Sequence, residues 1–373
     1  MMTVLHIAPN LRPGGTAAMA AELACELQQR GDCTNIVVSP ACELVSRLRT
    51  AGVEHRLCRK VTPLNFISEF RKLRELINRA QPHIIQVYSP EAALLTSVAC
   101  RRLLTKHRPM LVAAITAYPR PGIARYFWLK CDAFVTASQH LRQVLSNGLL
   151  KLRRKDLRRI PYGVNDKQCY PAFRISAERF NQWKNAHPES DSRLTLCLPG
   201  AISPLHGLED LIPILTSLLH WGIPVHAYIA GDSRKADSSY TEELKRKFAA
   251  ANLSEHISWI GARPDLRDVM CACDITLTLT REPATYNRPV LEALALGRPV
   301  VGYDHGVVGE LLEAFLPEGR VAPGDAAAVA DTISQWHTYR PATIPELPLP
   351  YRLSSTAESL FSLYQQLSSP CKS

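Results

Sequence analysis

Four loops in this chain carry residues able to hold a charged or hydroxylated group. In Gly302-Tyr303-Asp304-His305-Gly306-Val307-Val308-Gly309-Glu310 an apolar run ends in a glycine loop and an amphipathic segment begins. Backbone N–H groups at such a helix start can hold a phosphate. A second loop, Pro9-Asn10-Leu11-Arg12-Pro13-Gly14-Gly15-Thr16, pairs Gly14 with Gly15 in the same setting. It lacks the G-x-G-x-x-G spacing of a dinucleotide site, and a tight structural turn is an equal reading. The third, Leu198-Pro199-Gly200-Ala201-Ile202-Ser203-Pro204-Leu205-His206-Gly207, also lies between an apolar run and a helical one. The fourth, 281–299, contains Glu282, Tyr286, Arg288 and Glu292. Glu292 follows Pro289 closely. A carboxylate near a helix start is favoured by the helix dipole alone, which is the purely structural reading of that position.

These loops need a frame, and the hydrophobic pattern supplies it. Short apolar runs at 4–7, 36–38, 84–87, 111–114 and 133–136 alternate with amphipathic segments such as 17–30 and 43–51. Strand–helix–strand in this rhythm predicts a parallel sheet covered on both faces. The rhythm breaks near Ile160-Pro161-Tyr162-Gly163-Val164 and restarts with runs at 194–198, 225–230, 257–260, 275–279 and 299–302, predicting a second parallel sheet. Helical patterns at 209–221 and 240–251 lie between these strands, and the tail at 354–367 reads as a final helix. Doubly wound sheets bind ligands outside the carboxyl ends of their strands, which is where all four loops fall.

The chain has 373 residues, 46% hydrophobic and 21% charged, enough for two globular domains with sizeable cores. The first residues, Met2-Thr3-Val4-Leu5-His6-Ile7-Ala8, read as a short buried strand, without the features of a signal peptide. No apolar run is long enough to span a bilayer, so a cytoplasmic location is expected. The 11 cysteines are scattered and several lie in apolar periodic segments, which predicts reduced, buried thiols and no metal site. The net charge of +10 is concentrated in the N-terminal half, most densely in Lys151-Leu152-Arg153-Arg154-Lys155-Asp156-Leu157-Arg158-Arg159. Such a half suits an anionic membrane leaflet or a phosphorylated acceptor; a solvated helix end is the alternative reading. Nothing in the pattern points to nucleic acid.

Between about 196 and 325 the chain resembles the C-terminal domain of family 4 retaining glycosyltransferases, including lipopolysaccharide-core and other cell-envelope sugar transferases. The pieces occur in order: the strand–Pro–Gly loop, Ile229-Ala230-Gly231, Ile260-Gly261, Asp265-Leu266, and Pro289-Val290-Leu291-Glu292-Ala293-Leu294-Ala295-Leu296-Gly297-Arg298-Pro299 running on to Gly306. The N-terminal half matches in its double glycine, Val135-Thr136-Ala137-Ser138 and Ile160-Pro161-Tyr162-Gly163-Val164. The resemblance implies an α/β fold of two doubly wound Rossmann-like domains facing a cleft, the glycosyltransferase B architecture. Residues 1–165 would form the N-terminal acceptor-side domain, with the C-terminal helix 352–373 packing back on it. Residues 190–340 would form the nucleotide-sugar-binding domain, with the boundary between Tyr162 and Arg193.

By the same resemblance Glu292 would bind the ribose, and Gly306, Val307 and Val308 would present N–H groups to the diphosphate. His206, Gly207 and Tyr286 complete the expected donor site. The implied activity is retaining, metal-independent transfer of a hexose from a nucleotide sugar to an envelope glycan such as lipopolysaccharide core, with no cofactor. The implied acceptor is a glycolipid or glycan, with peripheral contact at the inner membrane face. The chain departs from the family pattern at several positions. Ala201 and His206 stand where an Arg and a Lys are usual, Ala284 where the first Glu of E-x7-E is usual, and Asn287 where a Gly follows the aromatic residue. Thr116-Ala117 stands where a Thr-x-His-Gly loop is common. Glu282 and Arg288 are the candidate catalytic substitutes, with Arg281 and Arg298 as further cations. A catalytically degenerate binding or scaffold subunit is therefore the alternative reading. A phosphorylase or epimerase on the same architecture is a third.

Overall fold

The computed structural model describes residues 1–8, 15–40, 44–59, 65–101, 108–118, 122–147, 156–171, 173–233 and 238–369; within these, the side chains of 15–17 and 123–125 are not described. The chain divides into two compact units, Met1–Gly163 with Leu349–Ser373, and Val164–Pro348.

The first unit is built on seven strands: β1 (Met2–Ile7), β2 (Cys33–Ser39), β3 (Glu54–Leu57), β4 (Ile84–Val87), β5 (Met110–Ile115), β6 (Ala133–Thr136) and β7 (Asp156–Arg159). They form one sheet in the order β3-β2-β1-β4-β5-β6-β7, parallel throughout. Between the strands run α1 (Gly15–Gln29), α2 (Leu44–Thr50), α3 (Phe66–Ala80), α4 (Pro90–Ala99) and α5 (Gln139–Asn147), with a 3₁₀ stretch at Ile123–Lys130. The four residues of β4 are all buried, as a parallel strand covered on both faces requires. Helix α3 buries Leu73, Leu76 and Ile77, the i, i+3, i+4 stripe that faces a core. Helix α4 begins at Pro90 after Ser89, whose Oγ accepts the Ala92 N–H at 3.1 Å.

A polar seam crosses this apolar sheet. His6, wholly buried in β1, hydrogen-bonds Tyr88 Oη at 3.0 Å and Asn35 Oδ1 at 3.1 Å. The Asn35 oxygen can only accept, so Nε2 carries the proton and Nδ1 accepts from Tyr88. Burial holds this imidazole neutral, with its pKa lowered to about 4.

The second unit carries β8 (Leu194–Pro199), β9 (Val225–Ala230), β10 (Ile257–Trp259), β11 (Ile275–Thr278), β12 (Val300–Tyr303) and β13 (Arg320–Val321), in the order β10-β9-β8-β11-β12-β13, again parallel. Its helices are α6 (Ala177–Ala186), α7 (Leu211–His220), α8 (Ser238–Ala250), α9 (Leu266–Ala272), α10 (Arg288–Ala295), α11 (Gly306–Phe315) and α12 (Ala326–Thr338). The last helix, α13 (Leu353–Ser368), belongs to the first unit. It packs on α1, buries Leu353, Ala357, Leu360, Leu363 and Tyr364, and donates the Tyr364 hydroxyl to Gln86 Oε1. Thr356 closes the connection by accepting the Gly163 N–H at 2.9 Å and donating to Pro161 O at 2.7 Å.

One reading of the cationic run is corrected. Residues 148–155 lie outside the described residues, but Asp156–Arg159 is a sheet-edge strand and not a helix end. Charge on an edge strand keeps other strands from adding to it, and here Arg158 is ion-paired with Asp156.

Candidate active site

The strand order of the second unit reverses between β8 and β11: the chain winds outward from β8 toward β10, then returns to β11 and winds the other way. Such a reversal parts the loops at the carboxyl ends of the two strands and opens a crevice between them. A crevice of about 20 Å³ lies there, lined by Pro199, Gly200, Ala201 and His206 from one side and Leu277 to Thr280 from the other. The Thr280 hydroxyl oxygen is buried without a hydrogen-bond partner among the described residues.

His206 is oriented within this loop. Its Nδ1 is 2.8 Å from Ser203 Oγ, and a Cβ added to Gly200 would lie 3.3 Å from its ring. The next residue must be glycine. Gly207 has φ +62°, and a Cβ there would sit 1.9 Å from Leu279 O. The loops after β8 and β11 are tied further by the Arg281 N–H, which donates to Leu205 O at 3.0 Å.

Glu292 lies in the second turn of α10, buried, and its Oε1 accepts from Arg288 Nε at 2.9 Å. The Cys169 thiol nearby is pushed up to about 12, first by burial and then by the Glu292 charge. Asn287, in the position where glycine is usual, caps α10: its Oδ1 accepts the Val290 N–H at 3.2 Å, and its Nδ2 donates to Thr278 Oγ1 at 3.3 Å. Tyr286 is half-buried just before this cap, and Glu282 is exposed on the loop.

Helix α11 starts at Gly306, with φ +56°, where a Cβ would meet Ala284 O at 2.5 Å. The Ala284 carbonyl accepts the Val307 N–H at 2.8 Å, and Val308 is wholly buried. Of the three residues expected at a diphosphate, Val307 therefore already uses its N–H within the protein. The structure brings Gly306 and Val307 against the Ala284 loop. His305 Nε2 donates to Thr280 O at 2.7 Å, joining the helix start to the crevice.

Of the other cations, Arg281 is committed to internal carboxylates, whereas Arg298 Nε is buried without a hydrogen-bond partner among the described residues. Arg281 pairs with Asp210 at 2.6 Å and Glu209 at 3.3 Å. Asp210 also accepts the Tyr303 hydroxyl at 2.7 Å, a link between three loops that sequence reading did not find. Its partners lie 71 and 93 residues away, beyond any local pattern. Arg298 donates its backbone N–H to Ala293 O at 2.9 Å, and its side chain lies beside the Cys271 thiol. In the first unit Gly14 lies outside the described residues, and Gly15 opens α1.

Residues 13–168 match the model of Glycosyltransferase Family 4, and residues 193–338 match that of Glycosyl transferases group 1. Over 316 residues the chain is 29% identical to a lipopolysaccharide core biosynthesis mannosyltransferase, LpsB, of Rhizobium meliloti (strain 1021), covering 82% of this chain and 84% of that protein. A glycosyltransferase from Rickettsia africae ESF-5 superposes with a TM-score of 0.84 at 19% identity, over 99% of each chain. Anabaena HepE, solved in complex with UDP and glucose, gives 0.77 at 18% identity, over 99% of this chain and 97% of that one. A Glycosyltransferase Family 4 model thus matches the first part of the chain and a Glycosyl transferases group 1 model the second, over two parallel α/β sheets: the chain is a glycosyltransferase similar to those of family 4.

Proposed function

We propose that the enzyme transfers a hexose, with retention and without a metal, from a nucleotide sugar to an envelope glycan such as lipopolysaccharide core. Mannose is the first sugar to test, because the curated relative is a core mannosyltransferase. The observation that carries the donor assignment is the crevice at the β8/β11 reversal, lined by His206 and Thr280, where hydrogen bonds tie the loop after β8, the loop after β11 and the starts of α10 and α11 together at the carboxyl ends of the strands. In this reading Glu292 holds the ribose and Gly306, Val307 and Val308 face the diphosphate. For Val307 to do so, its N–H must leave the Ala284 carbonyl. His206 then supplies, as an imidazolium, the charge that a lysine would carry in stabilising the departing diphosphate.

The second unit is acidic, with 17 Lys and Arg against 23 Asp and Glu, and the first is strongly basic, with 27 against 11. That division supports an anionic acceptor or membrane surface for the first unit, at the cytoplasmic face of the inner membrane. A thermal-shift panel of GDP-mannose, UDP-glucose and UDP-galactose, followed by transfer assays with and without EDTA, tests the proposal. Stabilisation by one donor and EDTA-insensitive transfer are expected. Stabilisation without any transfer would instead favour the scaffold reading, which the alanines at 201 and 284 and the internally committed arginines support.

A further inference from the structure

Three loops meet at the carboxyl ends of the strands of the second unit, and one carboxylate joins them. Asp210 ends the short 3₁₀ turn Leu208–Asp210, between the β8 loop and α7. Its Oδ2 accepts the Tyr303 hydroxyl at 2.7 Å, and its Oδ1 accepts from the Arg281 guanidinium at 2.6 Å. Tyr303 is the last residue of β12 and is wholly buried. Arg281 lies in the loop after β11. Each oxygen of the carboxylate is thus given to a different loop, and the carboxylate itself belongs to a third. With both oxygens taken by the protein, Asp210 acts on a ligand only through what it holds in place.

Both bonds lead to the crevice. On the Arg281 side, the backbone N–H reaches Leu205 O, next to His206. On the Tyr303 side, the carbonyl accepts the His305 N–H at 2.9 Å, and His305 donates onward to Thr280 O at 2.7 Å and precedes Gly306 at the start of α11. Asp210 is held in turn by its own N–H, which donates to Gly207 O at 3.0 Å. The Tyr303 phenol stays a donor at any working pH, because burial raises its pKa and the Asp210 carboxylate raises it further. A hydroxyl buried in β12 has no water to turn to, and leaving it unpaired costs its desolvation in full, so the loops are held where this bond is made.

We infer that Asp210 is a positioning residue of the donor site: through Tyr303 and Arg281 it sets the spacing between the loop that carries His206 and the glycine start of α11. The inference rests on the donor reading above, in which those two elements face the diphosphate and Glu292 of α10 holds the ribose. A group clasped by two elements gains from their preset spacing, whereas a group held by one helix does not. The readout is therefore the ratio of diphosphate to monophosphate affinity. Calorimetry with GDP, UDP, GMP and UMP is run on the full-length protein and its Y303F, D210A and Y303F/D210A variants, with melting temperatures alongside. Y303F removes only the hydroxyl, so it decides the comparison if D210A does not fold. Affinity for the diphosphate should fall about tenfold in Y303F and in D210A, as loss of one hydrogen bond and the order it imposes predicts, while affinity for the monophosphate is unchanged. The double variant should bind no more weakly than D210A, because both substitutions act through one contact. Unchanged diphosphate affinity in Y303F overturns the inference. So do equal losses for monophosphate and diphosphate, or losses that track melting temperature across the variants. If the wild type binds none of the four nucleotides, the donor reading itself has failed, and the inference falls with it.

Discussion

At the scale of single residues, Glu292 and His206 are where the proposed donor site is tested. Glu292→Gln keeps the shape and an acceptor for Arg288 but removes the charge. Nucleotide affinity should drop by roughly 10- to 100-fold, since a hydrogen bond to a charged group contributes about 1.5–3 kcal/mol. Calorimetry with the best-stabilising nucleotide measures it, and unchanged affinity would remove Glu292 from the site. Melting should also fall modestly, because Arg288 loses the carboxylate it holds at 2.9 Å. For His206 the expected signature is pH: nucleotide affinity should strengthen as pH falls from about 8 to 6, because an imidazolium near phosphate is favoured. His206→Lys should flatten that profile and raise turnover. A flat profile in the parent protein would count against His206 at the phosphate. His6 gives a separate pH effect on folding. Its pKa is lowered to about 4 by burial, so the stabilising neutral form is fully present above the unfolded value of about 6.5. Stability is lost as pH falls from there toward 4, and a shift of this size corresponds to about 3 kcal/mol. Urea unfolding at pH 7.5 and pH 4, compared with His6→Gln, measures it.

At the scale of elements, the loops depend on glycines whose conformation no other residue supplies. Gly207→Ala should destabilise the second unit by at least about 1–3 kcal/mol, since it adds strain at positive φ to a collision with Leu279 O. Thermal melting reads this directly, and an unchanged melting temperature would mean that the loop rearranges freely. The central elements were legible from sequence because covered strands such as β5 and β12 are continuous apolar runs. The edge elements were not. β3 is mostly exposed, β13 has two residues, and β7 hides in a run of charge that reads equally well as helix surface. The candidate site was legible in the same uneven way. Glycine loops and Glu292 stand out by type and spacing, whereas Asp210 becomes visible only when Tyr303 and Arg281 are folded against it.

At the scale of the whole molecule, the two units differ in net charge by sign, +16 against −6. Cosedimentation with vesicles of anionic and neutral phospholipid should show binding only to the anionic set, weakening steeply with salt as surface electrostatics do. Equal binding to neutral vesicles would assign any membrane contact to apolar side chains instead.

The return of α13 to the first unit has a further consequence, for the order in which the protein is made. Because residues 349–373 belong with 1–163, the second unit is a continuous insertion and the first is assembled from two separated stretches. Synthesis proceeds from the N-terminus, and domains fold as they emerge. The acidic unit therefore has its whole sequence available while the basic one still lacks the helix that covers Gln86 and packs on α1. A chain arrested just before Leu349 should yield a protease-resistant second unit beside a protease-sensitive first one. In the cell, that interval is when the apolar face of α1 needs protection.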